Sequence, residues 1–366
     1  MRIKTKEFKS AAKTILYALD SKDKNLFSET LELKTEGNIL HLNVTNRAYY
    51  VSVKFNLGYE DNFHATVNAQ LFLNLISKLT TDEIELTATD RVIKINANGE
   101  YKLPMIYHDN SLLELPKIEI GNQTGSMNIN SDILISINLF NSKELIRGVI
   151  AKPVQNYYYI DEFGAITFTS GACVNNFSLE QPIKILLDDK VVKLFKLFKQ
   201  DENVEFTIGQ DAVSDTITQT KVKFSTPIVE ITAILPDSGL ISSVPVNAIR
   251  GMATNTYAHS VVIESDLLVD ALNRILLFND TNTYGFFEFT RDTLTIFDYS
   301  RENKETLTLM NECPTLDSYT LATDLANFKL ILEGIEDEYI TINFGNHKAI
   351  VVKKNSVTNV IPEIRL

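Results

Sequence analysis

The sequence is poor in residues that ligate metals. It has only two cysteines, Cys173 and Cys313, which give neither a disulfide framework nor the ligand set of a structural zinc site. Its five histidines are scattered without the spacing of metal ligands: His41, His64, His108, His259 and His347. We therefore expect no metal site and no cofactor.

Long apolar runs are also missing. No stretch approaches the roughly 20 consecutive apolar residues that a membrane-spanning helix needs. The N-terminal segment MRIKTKEFKSAAKTILYALD is basic and amphipathic, and it lacks the continuous apolar core of a signal peptide. The sequence therefore predicts a cytoplasmic protein without a membrane partner.

Motifs of the common enzyme classes are absent. The sequence contains no GxxxxGK[ST] phosphate loop, no GxSxG nucleophile elbow and no HExxH zinc motif. Its acidic pairs, such as Asp82-Glu83 and Asp161-Glu162, fall in predicted turns, where carboxylates are solvated and do not face one another. We therefore expect no catalytic residues and no enzymatic activity.

Positive charge is scarce overall but locally concentrated. The 35 lysine and arginine residues are outnumbered by 47 aspartate and glutamate residues, which argues against nucleic-acid binding over the whole surface. The segment DDKVVKLFKLFKQDE (188–202) nevertheless has a lysine at every third position. It predicts an amphipathic α-helix with a cationic outer face and an apolar face formed by Val191, Leu194, Phe195 and Phe198. Such a cationic face is either simply solvated or binds phosphates.

A pattern of helix, Asp-Glu turn and alternating strand repeats along the chain. The three copies are LFLNLISKLTTDEIELTAT (71–89), VVKLFKLFKQDENVEFTIG (191–209) and NFKLILEGIEDEYITINFG (327–345). A second amphipathic helix lies about 60 residues before each copy, within 6–20, 141–153 and 264–280. Short strands with a period of two fill the intervals between the helices.

This repeat predicts the domain organisation. Two segments rich in Gly, Ser, Asn and Pro, 120–126 and 236–256, are typical of linkers. We therefore predict repeated domains at 1–122, 123–248 and 249–366. The predicted fold class is α+β, in which each domain packs two helices on antiparallel sheets.

Basic residues collect on the predicted helices. Helices that share one side of joined sheets would form a cationic inner wall suited to duplex DNA passing through a ring. The helices at 264–280 and 327–336 add only Arg274 and Lys329. The residues that we expect to contact phosphates without reading sequence are Lys9, Lys13, Lys22, Lys24, Lys78, Arg147, Lys193 and Lys196.

Several strings, in their order and spacing, resemble the bacterial DNA polymerase sliding clamp, the beta subunit of the replicative polymerase. FLNLISKLTTDEIELTATDRVIKI and EYKLPMI resemble the end of that family's first domain, LVDALNRILLFNDTNTYGFFEFTRDTLTI resembles the opening of its third domain, and NVIPEIRL resembles its C-terminus. The resemblance covers the whole chain. It implies a homodimeric ring of three-domain subunits, a non-enzymatic processivity factor that encircles duplex DNA and tethers the polymerase.

The resemblance also implies two protein-contact sites. Head-to-tail dimer contacts would join Leu276 and Leu277 of one copy to Tyr101 of the other. A pocket between the second and third domains would take short peptide motifs of the polymerase and the clamp loader. Its residues would be Tyr159, Ile160, Thr169, Gly171, Cys173, Val174, Pro236, Val360, Ile361, Pro362, Ile364, Arg365 and Leu366.

The sequence leaves alternatives open. The family usually reads Thr-Asp-Gly-His-Arg-Leu where this chain has TSGACV (169–174), which indicates a divergent clamp of cellular, phage or plasmid origin with its own peptide preference. Cys173, Leu276 and Leu277 also fit the role of plain core residues. On the residues alone, the repeat fits a structural or adhesion module as well, such as a virion protein whose lysines are only solvated.

Overall fold

The computed structural model describes residues 1–19, 25–137, 153–169, 171–214, 217–279, 282–333, 338–354 and 356–364. The strands are β1 Arg2–Lys4, β2 Thr30–Glu36, β3 Ile39–Thr45, β4 Tyr49–Asn56, β5 His64–Asn68, β6 Glu83–Thr89, β7 Val92–Asn96, β8 Glu100–Pro104, β9 Tyr107–His108, β10 Ser111–Leu112, β11 Asn122–Asn130, β12 Tyr157–Asp161, β13 Gly164–Phe168, β14 Ala172–Asn176, β15 Lys184–Asp188, β16 Asn203–Ser214, β17 Ile217–Ser225, β18 Val229–Ile234, β19 His259–Glu264, β20 Tyr284–Phe289, β21 Thr293–Phe297, β22 Lys304–Thr308, β23 Tyr319–Asp324, β24 Tyr339–Phe344, β25 Ala349–Lys354 and β26 Val357–Pro362. The helices are α1 Thr5–Leu16, α2 Ala69–Lys78, α3 Ser131–Ile137, α4 Asp189–Val192, α5 Val246–Thr254, α6 Ser265–Leu276 and α7 Leu325–Glu333, with 3-10 helices at Pro153–Asn156, Lys193–Leu197 and Ser238–Ser243. Within these ranges no helix combines the length and the apolar character needed to cross a membrane.

Contacts divide the chain into two units, each built from segments far apart in sequence. Unit 1 comprises residues 1–135 and 190–237, and unit 2 comprises 136–189 and 238–366. The predicted second domain, 123–248, is shared between them, because β11 and β16 to β18 join strands of the first predicted domain, whereas β12 to β15 join strands of the third. The three-domain division stays a prediction about the repeat, and hydrogen-bonded sheets continue across both of its boundaries.

Unit 1 packs its helices on antiparallel sheets. Its sheets have the strand orders β1-β6-β7-β8 and β11-β16-β17-β18-β4-β3-β2-β5, with β10-β9 as a small ribbon. Helix α1 packs against α2 and lies on β3 and β4. Phe8 of α1 occupies the centre of this core, edge-on to Phe55 at 5.8 Å and to Phe72 at 6.3 Å between ring centroids. These aromatic contacts fix the two helices on one face of the longer sheet.

Unit 2 has the same kind of core. Its sheets have the strand orders β15-β12-β13-β14-β26-β25-β24-β19 and β22-β21-β20-β23. Helices α6 and α7 pack together and enclose a core that includes Leu272, Phe287 and Phe328. Phe287 and Phe328 meet edge-on at 5.0 Å between ring centroids. A second apolar cluster of unit 2 lies under α5 and the 3-10 helix Ser238–Ser243.

The sequence repeat is visible as one backbone hydrogen bond that recurs in three places. The amide of the first residue of a helix donates to the carbonyl oxygen of the Asp-Glu turn, each time at 2.9 Å, in the pairs Thr5–Asp82, Ser131–Glu202 and Ser265–Glu338. In each copy the strand before the helix pairs with the strand after the turn, as β1-β6, β11-β16 and β19-β24. The predicted α+β class, with repeated helices on antiparallel sheets, is confirmed. Most of the predicted helix at 141–153 lies outside the described residues.

The lysine-rich segment 188–202 differs from its predicted form. The single α-helix expected there is the short α4 followed by the 3-10 helix Lys193–Leu197, and the backbone is extended at Phe198. A 3-10 helix has three residues per turn, so lysines at every third position form one row and leave two rows apolar. Val192 and Leu197 are therefore buried together with the predicted core residues.

The segment 236–256 is not a linker. Its Gly, Ser and Pro residues predicted one, but it forms the 3-10 helix Ser238–Ser243 and then α5. Ile249 and Ala253 of α5 are buried, and the segment also contributes Val244 to an apolar cluster of unit 2. Local composition suggested an open connection, whereas an apolar sheet face fixes the segment in place.

Candidate nucleic-acid and peptide interfaces

Helix α1 presents a stripe of lysines. Lys6, Lys9 and Lys13 project within an arc of about 60° on the side away from the sheet. In the described part of the chain, no carboxylate lies within ion-pair distance of any of the three. The buried side of the same helix carries Thr5, Phe8, Ala11, Ala12 and Ile15. Lys6 and Lys13 are exposed and Lys9 is half-buried. Unpaired cations on the outer side of a helix are suited to contact phosphate oxygens.

The lysine row of the 3-10 helix Lys193–Leu197 lies on the same face of the sheet as α1. Phe195 packs against Phe224 of β17 at 4.9 Å between ring centroids, as Phe8 packs against Phe55 of β4. The paired registers across β18 place Phe224 and Phe55 on one face. The two helical segments are therefore neighbours on that face.

A cation–π contact joins the two segments directly. The Lys196 amine lies 5.0 Å from the centroid of the Tyr17 ring, just after the end of α1. Lys196 is exposed and Lys193 is half-buried, while Lys78 is exposed in the last turn of α2, which packs on α1. The structure thus brings the described lysines of the predicted set onto the helix side of unit 1. Lys22, Lys24 and Arg147 lie outside the described residues.

The basic residues on the helices of unit 2 are paired with acids. Arg274 of α6 donates from Nε to the Glu305 carboxylate at 2.9 Å and makes a second hydrogen bond to it from Nη2. Lys329 of α7 lies 3.2 Å from Glu333. The hydrogen bond from Arg274 holds the pKa of Glu305 below its ordinary value, which keeps the carboxylate charged. Most of the positive charge of these two residues is therefore cancelled locally.

The predicted peptide pocket falls mainly on one sheet of unit 2. Tyr159 of β12 and Val174 of β14 both lie opposite Ile166 of β13, and Val360 of β26 lies opposite Ala172. Because side chains alternate along a strand, Tyr159, Val174 and Val360 share one face. That face forms an apolar surface across four neighbouring strands, β12-β13-β14-β26.

Strand alternation divides the rest of the predicted pocket. The opposite face of the sheet carries Ile160, Cys173 and Ile361. Each is the sequence neighbour of one residue on the first face, and neighbours along a strand point to opposite sides. All three are buried, and burial raises the pKa of the Cys173 thiol to about 12, which makes it a poor nucleophile. Pro236 belongs to unit 1. One groove wall therefore cannot use all of these side chains.

Half-buried residues mark the rim of the pocket. Both Thr169 and Gly171 are half-buried, and the Thr169 amide donates to the Gly171 carbonyl oxygen at 2.7 Å. A Cβ atom at Gly171 would lie 2.7 Å from the Val360 carbonyl oxygen, so only glycine allows this close approach to β26. Pro362 and Ile364 are half-buried, and the Ile364 amide donates to the Ala322 carbonyl oxygen at 2.9 Å. Arg365 and Leu366 lie outside the described residues.

Two charged residues beside the pocket were not predicted. The hairpin turn predicted at Asp161-Glu162 joins β12 to β13, but Asp161 is only 3 % exposed, so the solvation expected for its carboxylate is wrong. Arg250 of α5 donates to both carboxylate oxygens of Asp161. Burial alone would raise the pKa of Asp161, but hydrogen bonds from Arg250, the Phe163 amide and Tyr159 hold it below its ordinary value. Burial, together with Asp161, raises the pKa of Tyr159 to about 12. At neutral pH the carboxylate is therefore ionised and the phenol neutral.

The residues predicted for dimer contacts lie at the ends of sheets. Tyr101 is half-buried on β8, the end strand of its sheet in unit 1. Leu276 packs against the core of unit 2, whereas Leu277 is 75 % exposed and the neighbouring Phe278, which sequence reasoning missed, is 60 % exposed. Strand β22 is likewise the end strand of its sheet. Large exposed apolar side chains and unpaired end strands are each typical of a protein contact surface.

Comparisons with known proteins give one fold. No family model matches the chain. A beta sliding clamp of Mycoplasmopsis pulmonis is 29 % identical over 124 residues, which cover 33 % of this chain and only 31 % of that protein's length. The sliding clamp (DNA polymerase III subunit beta) of Pseudomonas aeruginosa, solved with griselimycin, has a TM-score of 0.80 and 13 % identity, and the match covers 100 % of this chain and 99 % of that one. The Helicobacter pylori beta clamp, solved with a DNA ligase peptide, has a TM-score of 0.73 and 14 % identity over 100 % of this chain and 99 % of that one. Over its whole length, this chain has the fold of the bacterial DNA polymerase III beta subunits, the sliding clamps.

Proposed function

We propose that the chain is a DNA sliding clamp, a processivity factor without catalysis of its own that keeps a replicative polymerase on duplex DNA. The observation that carries this proposal is the repeated unit of helix, turn and strand, which spans the chain in the fold of the sliding clamps. Two copies joined head to tail would close a ring around the duplex. A closed ring cannot leave the duplex sideways, so its mechanism is topological and needs neither a reactive group nor base-specific contacts.

The helix layer of unit 1 would face the DNA. Its described lysines share one face of a sheet, and phosphate contacts give affinity without sequence information. Among the described residues, Lys9, Lys13, Lys78, Lys193 and Lys196 would contact phosphates. We expect the same contacts from Lys22 and Lys24 of unit 1 and, separately, from Arg147 of unit 2.

The test is retention on circular DNA. The protein is incubated with nicked circular plasmid at a concentration at which rings open and close, and the retained fraction is measured before and after the plasmid is cut. A sliding clamp stays on the circle and runs off the linear ends. Equal retention on both forms, or none on either, would contradict the proposal and favour a structural module.

A charge-reversed variant assigns the DNA-facing surface. Lys193→Glu with Lys196→Glu should lower retention by about tenfold or more, because lost phosphate contacts become repulsions. The matched control is Lys94→Glu with Lys223→Glu, two half-buried lysines of β7 and β17 that alternate with buried core residues. It makes the same charge change on the faces of the sheets away from the helices and should retain DNA. Equal loss in both variants would remove the helix layer from the DNA interface.

The ring would close through the exposed ends of the sheets. We place Leu277 and Phe278 of one copy, which follow the end of α6 and its contact with the end strand β22, against Tyr101 on the end strand β8 of the other. Sedimentation across a dilution series should give twice the 41.3 kDa chain mass. Leu277→Glu with Phe278→Glu should give a monomer of unchanged circular dichroism. A wild-type monomer at every concentration would contradict the ring.

The apolar face of unit 2 would bind peptide motifs of the polymerase and the clamp loader. The Helicobacter pylori clamp was solved with a DNA ligase peptide, and that peptide is a suitable probe here. Deleting residues 364–366 should weaken its binding by about tenfold while the dimer mass stays the same, because Ile364 would lie at the rim of the proposed pocket. Equal affinity of the truncated chain would place the peptide site elsewhere.

A further inference from the structure

Helix α5 covers the apolar face of unit 2 that carries Tyr159, Val174 and Val360. We call this face, the proposed peptide site, the peptide groove. The helix contacts β14 and β26, and its Ile249 and Ala253 join Tyr159, Val174 and Val360 in one buried cluster. These three groove residues are only 4 %, 1 % and 5 % exposed. A peptide that inserts hydrophobic anchors therefore cannot reach them while α5 stays in place.

Helix α5 buries little of its own surface. It has nine residues, of which Ile249 and Ala253 are buried, whereas the 12-residue α1 buries five. Helices this short are marginal in isolation, and elements with few buried apolar contacts open most readily. The helix therefore depends on a further attachment to remain on the sheet.

Arg250 provides this attachment. Its guanidinium donates to both oxygens of Asp161, from Nη1 to Oδ2 at 2.8 Å and from Nη2 to Oδ1 at 2.6 Å. Asp161 ends β12 and also accepts hydrogen bonds from the Tyr159 hydroxyl at 3.1 Å and from the Phe163 amide at 2.9 Å. The Phe163 ring lies 5.7 Å from the Arg250 guanidinium carbon. The ion pair thus ties α5 to the hairpin that carries groove residue Tyr159.

We propose that Arg250 is a positioning residue that holds α5 over the peptide groove, so that α5 must move away before a partner peptide with hydrophobic anchors binds. This inference rests on the proposed peptide-binding function. The apparent dissociation constant is the intrinsic one divided by the fraction of molecules whose groove is uncovered. Weakening the pair between Arg250 and Asp161 therefore tightens peptide binding, whereas a purely structural pair would leave binding unchanged or weaken it.

The first experiment measures binding of the fluorescein-labelled DNA ligase peptide to the full chain by anisotropy. Arg250→Ala should lower the apparent dissociation constant by about tenfold, because a charge-assisted pair of hydrogen bonds no longer holds the helix. Arg250→Lys keeps the charge but loses the bidentate geometry, so its apparent dissociation constant should lie between those of wild type and Arg250→Ala. The matched control is Arg291→Ala, which removes an exposed pair with Glu312 in the same unit and should change nothing.

The second experiment needs no peptide. Hydrogen exchange should become about tenfold faster at the α5 amides in Arg250→Ala, while the amides of α6 keep their wild-type rates. Ile249→Ala leaves the ion pair intact and removes buried surface of α5. It should also speed α5 exchange and tighten peptide binding, which separates the movement of the helix from the chemistry of the arginine.

The outcomes separate this inference from the function on which it rests. Equal peptide affinity in wild type, Arg250→Ala and Ile249→Ala would overturn the positioning role and leave the groove standing. Weaker binding by Arg250→Ala with a lower melting temperature would overturn it as well. Faster α5 exchange without peptide binding by any variant would overturn the groove and, with it, the gating of peptides by α5. Unchanged α5 exchange would overturn the proposal whatever the peptide does.

Discussion

Helices α1 and α6 occupy equivalent places in the repeat and differ where they meet solvent. Each has 12 residues and begins with the same hydrogen bond to the turn before the next strand. They bury equivalent positions, Thr5, Phe8, Ala11, Ala12 and Ile15 in α1 and Ser265, Leu268, Ala271, Leu272 and Ile275 in α6. The fold has therefore constrained the inner side of both helices in the same way.

The outer sides of the two helices carry opposite charge. The lysine stripe of α1 corresponds to one acid and two uncharged residues of α6, in the pairs Lys6–Asp266, Lys9–Val269 and Lys13–Asn273. Packing cannot explain this difference, because the lysines contribute nothing to the core. The comparison teaches that the repeat sets the shape of each helix layer, while the charge on its outer side varies independently of the fold.

The largest expected effect tests the shared inner side. Phe72 of α2 and Phe328 of α7 occupy equivalent positions, and both are fully buried. Phe72→Ala and Phe328→Ala should each lower the free energy of unfolding by about 3–5 kcal/mol, because each leaves a cavity of the same size in an equivalent core. Denaturant titration of each variant gives the values. If the loss of unfolding free energy in one variant exceeded the loss in the other by as much as the smaller loss, the two cores would not be structurally equivalent.

The next effect tests the outer side. Lys9→Glu with Lys13→Glu should lower retention on circular DNA by about tenfold or more and reduce the salt slope by about 0.9 per lost phosphate contact. Arg274→Glu with Lys329→Glu makes the same charge change on α6 and α7, where both residues are already paired with acids, and should cost less than about threefold. Equal losses of retention in the two double variants would mean that pairing with acids causes no difference in DNA binding between the helices of unit 1 and those of unit 2.

Sequence patterns predicted the repeat because its signals are local. Apolar residues at helical spacing, an acidic turn and a strand of period two lie within about 20 residues of one another in each copy. Such a pattern gives the class of each element and the side that it buries. The predicted helices at 6–20 and 264–280 accordingly match α1 and α6 to within a few residues.

The sequence missed features that depend on distant partners. Lysines at every third position fit the outer face of an α-helix as well as one row of a 3-10 helix, and only the packing of Val192 and Leu197 distinguishes the two. The composition of 236–256 predicted a linker, because nothing local shows that an apolar sheet face covers part of it. Asp161 and Arg250 are 89 residues apart, so their contact leaves no periodic trace.

A smaller effect would sharpen the comparison by moving charge from one helix layer to the other. Asp266→Lys with Asn273→Lys gives α6 the lysines that α1 carries at equivalent exposed positions. Binding to duplex DNA at low salt should tighten by about two- to fivefold if the unit 2 helices also line the path of DNA. Thr315→Lys with Asp317→Lys adds the same charge in an exposed loop before β23 and serves as the control. Equal gains in both variants would mean that total charge alone governs binding.

The smallest effect concerns the ion pair that cancels charge on α6. The hydrogen bond from Arg274 lowers the pKa of Glu305 in the folded protein below its unfolded pKa of 4.5. The pair therefore contributes its full stability above pH 4.5, and this contribution disappears as the pH falls through the lowered pKa of the folded state. Arg274→Ala should lower the melting temperature by less than about 2 °C at neutral pH, because Arg274 is largely exposed. The difference from wild type should vanish in acid, as thermal unfolding followed by circular dichroism will measure. A larger loss that persists in acid would mean that Arg274 supports the fold itself, and the contrast between the two helix layers would then need a structural cause as well as an electrostatic one.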